Sequence, residues 1–161
     1  MTDGRSWPFW TFIALLAILH FLVHLGLGVG VAAPDLLTVA VLLGARRLRG
    51  SAAAALGFAF GLLRDSLSLS SFGADVVSLT LVGYLGARSR DFFVGDSLLF
   101  IGIYLFAGKW FHDVVYDLIA GSTMAGDMVV RLFVQAPLAS LYAAAAGVVA
   151  LVLYRIVVGA R

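Results

Sequence analysis

Apolar residues fill this chain in long runs separated by short polar stretches. The runs lie at residues 7–31, 34–45, 51–63, 74–87, 97–121 and 132–157. A helix that crosses a bilayer needs about 20 apolar residues. The first, fifth and sixth runs meet that length, whereas the second, third and fourth are short and glycine-rich. Carrying the third run on through Arg64 and Asp65 to Leu69 gives it a full crossing and puts an acid inside the membrane zone. The pattern predicts an all-α polytopic membrane protein with six transmembrane helices at 7–31, 34–45, 51–69, 74–87, 97–121 and 132–157. They would form one integral membrane domain over residues 1–161.

Composition removes the soluble alternative. Of 161 residues, 62% are hydrophobic and 12% charged, with a mean hydropathy of +1.05. A soluble domain with such a surface would aggregate. The absence of cysteine excludes disulfides and thiol chemistry, and every acid is an aspartate. Arg5 before an apolar stretch and the small-residue run Val31-Ala32-Ala33 are features that a secretory leader shares. A leader's apolar region is only about 7–15 residues long. The run from Phe9 to Ala33 is broken only by His20 and His24, and reads as an uncleaved first membrane helix.

The basic pI of about 9.3 comes from arginines whose placement speaks of orientation, not of nucleic acid. With six crossings, Arg5, Arg46, Arg47, Arg49, Arg88, Arg90, Arg155 and Arg161 share one side. The other side holds Asp35, Asp65, Asp75, Asp113, Asp117 and Asp127 against Arg64 and Arg131. Lysine and arginine favour cytoplasmic loops, so both termini are expected in the cytoplasm. Trp7 and Trp10 stand where an interfacial aromatic belt belongs.

The polar residues inside the apolar runs are the candidates for function. Gly57, Gly61 and Asp65 recur every four residues, so each successive one turns only about 40° and all share a helix face. Small residues at that spacing let two helices approach closely. Asp65 then reads in three ways: a helix cap or headgroup contact with Arg64 snorkelling outward, a buried acid hydrogen-bonded across the bundle, or a proton-coupled transport group. In the fifth run Lys109, Asp113 and Asp117 also recur every four residues. Lys109 lies about 18 Å along the helix from Ser97, so it needs a partner, and Asp113 has the right offset. An internal ion pair and a ligand cavity lined by Lys109, His112 and Asp113 both fit.

His20 and His24 share a face and, with His112, could supply metal ligands. Packed, hydrogen-bonded histidines fit better, and no metal or cofactor is expected. Ala139, Ala143 and Gly147 form a second small-residue stripe, in the sixth run. Core packing is the default for it, but the sixth helix, terminal and longer, is the expected one to turn this stripe outward as a partner interface. The glycines at 26–30 lack the strand–turn–helix setting of a dinucleotide site. There is no phosphate loop, nucleophile elbow or catalytic constellation, so the chain reads as non-enzymatic.

One ordered set of features carries a resemblance. Pro34-Asp35-Leu36-Leu37 opens the second run and Arg46-Arg47 closes it; Gly57, Gly61, Leu62, Asp65 and Gly73 follow, and the fourth run contains Gly83-Tyr84-Leu85. With the size and six-span layout, this resembles MreD, the family of bacterial rod shape-determining membrane proteins. The resemblance implies a scaffold of the cell-elongation machinery in the inner membrane, active in cell shape and lateral peptidoglycan synthesis. It implies MreC as direct partner and a wider assembly with MreB, RodZ, RodA and a penicillin-binding transpeptidase. It also implies a fold similar to the S components of energy-coupling-factor transporters, which keeps a small-molecule-binding protein as the alternative. A flippase or enzyme accessory for lipid-linked precursors is a third class. Lys109, His20 and His24 are not features of the resemblance.

Overall fold

The computed structural model describes residues 7–26, 34–67, 72–89, 97–121 and 129–159. Among these, six helices and no strand occur. Helix α1 spans Trp7–Phe21 and runs on through a π-helical turn at Leu22–Gly26. It is followed by α2 (Leu36–Ala45), α3 (Gly50–Asp65), α4 (Ala74–Ser89) and α5 (Leu98–Ala120). A π-helical turn at Arg131–Gln135 leads into α6, Ala136–Gly159. Three stretches are long and apolar enough to cross a membrane: Trp7–His24, Leu98–Ala120 and Arg131–Gly159. Arg5, Arg90, Asp127, Arg161 and residues 27–31 of the first expected span lie outside the described residues.

The short helices are short for different reasons. Helix α2 has 10 residues, about 15 Å of rise. Every one of them is buried, because α1, α3, α4, α5 and α6 all pack around it. It therefore meets protein on all sides. Its Leu37, Val39 and Leu42 form the middle of the core with Ile13 and Leu16 of α1, Leu79 and Val82 of α4, and Ile101 and Leu105 of α5. Tyr104 locks α5 to it by donating its hydroxyl hydrogen to the Leu42 carbonyl at 2.9 Å.

Helices α3 and α4 form a hairpin with almost no space between the two backbones. A Cβ added at Gly57 would strike the Leu79 carbonyl, and one at Gly61 would lie 2.5 Å from Val76 Cα. From the other side, a Cβ at Gly83 would strike the Ala53 carbonyl. Helix α3 stops at Asp65 and turns through Ser66 and Leu67, and the end of the expected extension, residues 68 and 69, lies outside the described residues. The physical reason for the stop is that the Asp65 carboxylate serves the start of α4, which requires the chain to fold back there. Gly73 makes that return with φ of 99°, a conformation that a side chain would strain.

The second small-residue stripe departs from expectation. Ala143 is fully buried and Gly147 is buried. A Cβ on Gly147 would come within 2.8 Å of Leu105 Cδ1 and Val39 Cγ1. These two positions seat α6 on α5 and α2 and present no outward face; Ala139 alone of the three is exposed. Spacing identified a close-packing surface, but could not tell which neighbour it packs on.

The six helices alternate in direction, which sorts their ends chemically. One end collects Arg46, Arg47, Arg88 and Arg155, with Arg47 lying 3.8 Å above the Phe9 ring. The opposite end collects Asp35, Arg64, Asp75 and the second half of α5. Between them the outer surface is apolar, with Leu15, Leu99, Leu138 and Ile156 each more than 60% exposed. A soluble monomer rarely exposes such a surface.

Candidate functional site

The polar residues that the apolar runs could not account for meet at one place. Asp35 precedes α2 and caps it, accepting hydrogen bonds from the Thr38 amide at 3.2 Å and the Thr38 hydroxyl at 2.9 Å. Pro34 directly before it fixes the approach of the chain. Arg64, at the last turn of α3, donates from Nη1 to Asp35 at 3.0 Å and places Nε 3.3 Å from Asp75 on α4. Lys109 of α5 reaches the same Asp35 oxygen at 3.3 Å and also pairs with Asp113 one turn along its own helix. The His112 ring lies between two acids, with Nδ1 3.2 Å from Asp113 and Nε2 3.3 Å from Asp75. His20 closes the cluster from α1, its Nδ1 3.8 Å from Asp35.

Five helices thus contribute to one ionic cluster. Three carboxylates (Asp35, Asp75 and Asp113) surround two basic side chains (Arg64 and Lys109), and His112 bridges the remaining acids. Removing a charge from water inside a membrane is costly, and only close pairing with further hydrogen bonds offsets it. Here each partner sits on a different helix from the next, apart from the pairs within α5. The cluster therefore fixes the relative placement of α2, α3, α4 and α5 at this end.

Asp65 stands apart from it. Its side chain is only 1% exposed. Its carboxylate accepts from the amides of Gly73 at 2.9 Å, Asp75 at 3.3 Å and Val76 at 2.9 Å. Those are donors at the start of α4 that the helix itself cannot satisfy, and a negative charge suits a helix N-terminus. Arg64 does not snorkel outward: it is turned into the cluster and is 28% exposed. Gly57 and Gly61 occupy the same face of α3 as Asp65 and bring α4 close enough for this cap.

Beside the cluster is a cavity of about 400 Å³. Asp35, Arg64, Lys109, His112 and Asp113 line it, together with His24, Tyr116, Gln135, Tyr142 and the Asp117–Arg131 pair, whose charges are 3.1 Å apart. His24 donates from its ring to the His20 carbonyl at 3.0 Å. Among the described residues, no group of three or more potential ligands is arranged to hold a metal ion. The sequence pointed to Lys109, Asp113 and His112, and these do meet. It did not point to Asp35 as the hub or to Asp75. The available signal for Asp35 was an Asp three residues before Thr38 at the start of an apolar run, a capping pattern.

A family model described as rod shape-determining protein MreD matches residues 4–158 of the 161-residue chain. The chain belongs to the MreD family. Its role is in rod shape determination, and membership of the MreD family makes it a structural membrane protein of a kind not known as enzymes. Its three long apolar helices fit that membership. No curated protein and no solved structure matches the chain.

Proposed function

We propose that this MreD-family protein is a non-enzymatic, multi-pass scaffold of the inner membrane. It crosses six times with both termini cytoplasmic, binds MreC, and thereby supports lateral peptidoglycan synthesis. The observation that carries this reading is the pairing within the ionic cluster: Arg64 and Lys109 each contact two carboxylates inside the bundle. Charges engaged in this way hold helices together and leave the outer surface as the means of action. That surface is apolar. In lipid, such helices associate through close packing and polar contacts, because hydrophobicity favours neither state.

Solubilising native membranes and recovering the tagged protein tests the reading. Co-recovery of MreC at a fixed ratio is the expected result. Recovery without MreC, but with a bound small molecule, would replace the scaffold with the second reading. A specific feature favours that alternative, an S-component-like binding protein: the polar cavity of about 400 Å³ has the size of a small-molecule site.

A further inference from the structure

Apart from the cavity beside the ionic cluster, α4 and α5 part toward the arginine-rich end and leave a crevice of about 370 Å³. Its walls are almost wholly apolar: Leu42 of α2 at the back, Val82 and Leu85 on α4, Ala107 and Phe111 on α5. Two glycines let the helices close up at its back, since a Cβ on Gly86 would lie 2.7 Å from the Tyr104 hydroxyl and one on Gly108 would lie 2.5 Å from Leu42 Cδ2. Leu85, at its lip, is 43% exposed, so the crevice opens on the outer apolar surface. Among the described residues its walls carry one charged side chain, Arg88 at the end of α4, with Ser89 beside it.

Size decides what can enter. The lining positions 82–89 and 104–111 each cover about 10 Å of helix. The free space of about 370 Å³ is spread along that length, and a hydrocarbon chain, whose carbons pack about 4 Å from their neighbours, fits along it. Charge decides the rest. An apolar slot with a single cation at its interfacial end matches an amphiphile with an anionic head. The same end carries Arg46, Arg47 and Arg155, and basic clusters of this kind attract anionic lipid.

We infer that the α4–α5 crevice is a binding site for an anionic phospholipid, with one acyl chain lying against Leu42 and Phe111 and the phosphate on Arg88. The site is independent of the ionic cluster and of the MreC reading.

Native mass spectrometry of the full-length protein, released from micelles containing equal phosphatidylglycerol and phosphatidylcholine, tests it. The expected result is one retained phospholipid with phosphatidylglycerol preferred. Arg88→Gln should reduce that preference about fivefold, the effect of one basic residue near a membrane surface. Ala107→Trp places a ring in the crevice from an exposed position and should abolish retention of either lipid with the melting temperature unchanged. Equal retention of both lipids by the unaltered protein would overturn the inference. So would an unchanged preference in Arg88→Gln, which alters an exposed residue and keeps the test open should Ala107→Trp not fold.

Discussion

Arg64 and Asp65 are neighbours in sequence and serve different parts of the bundle. Arg64 ties Asp35 before α2 to Asp75 on α4 through its guanidinium. Asp65 ignores that cation and binds three backbone amides at the start of α4. Adjacent positions on a helix point about 100° apart, so the two charges look in different directions. An apparent Arg-Asp pair is thus a cluster member and a cap.

Asp65→Leu should lower stability by about 1–3 kcal/mol, because it leaves the buried amides without an acceptor. Asp65→Asn should fall between it and the unaltered protein, since one acceptor oxygen remains while the amide group faces donors. Thermal unfolding in detergent, with rod-shape complementation alongside, ranks the three. Equal loss of shape in both variants at normal protein level would mean that the charge itself is required.

Lys109→Ala should be more damaging than Lys109→Ala combined with Asp113→Ala. The single change leaves Asp113 with His112 alone, and a stranded buried carboxylate costs more than a deleted pair. The coupling in a double-mutant cycle should fall in the range of about 0.5–3 kcal/mol found for residues in one network. Additivity of the two melting-temperature changes would mean that the pair does not act together. Because Lys109 also touches Asp35, the double variant should still fall short of the unaltered protein.

Gly61→Ala should destabilise more than Gly147→Ala. The added methyl at Gly61 meets the backbone of Asp75 and Val76, whereas at Gly147 it meets the side-chain ends of Leu105 and Val39, which can shift. Overpacking of the first kind costs about 1–3 kcal/mol. Membrane abundance and melting temperature should order the variants the same way, and the reverse order would contradict the packing described for the α3–α4 hairpin.

The lack of cysteine allows a clean test of orientation. Ser51 and Ser66 are both exposed, at opposite ends of α3. Ser66→Cys should react with an impermeant thiol reagent added to intact cells, and Ser51→Cys should react only after lysis. The opposite pattern would invert the proposed topology.

The long helices and the close contact at Gly57 and Gly61 could be read from the sequence, because length and spacing are local properties. The complete burial of α2 could not. Residues such as Leu37, Val39 and Leu42 look the same whether they face lipid or protein, so polarity carries no directional information inside a membrane. The same ambiguity lets spacing alone place the Ala143 and Gly147 stripe outward, although both are buried. Asp35 was hidden for another reason: its partners lie at positions 64 and 109, and no spacing rule connects residues so far apart. Lys109 and Asp113 were legible because they lie one helical turn from each other.

The encasement of α2 has a consequence for how the chain is made. Ribosomes deliver helices in order, so α2 emerges long before α5 and α6, the last two of the five helices that cover it. At about 15 Å it spans only half of a hydrocarbon core of about 30 Å, and cannot rest stably across the bilayer alone. Its final seat therefore forms late, after the last helix has arrived. A chain truncated after Ser89 should carry a second helix left uncovered on the side of α5 and α6 and be cleared faster by membrane proteases than the full-length chain. Pulse-chase labelling of the two would reveal the difference in half-life.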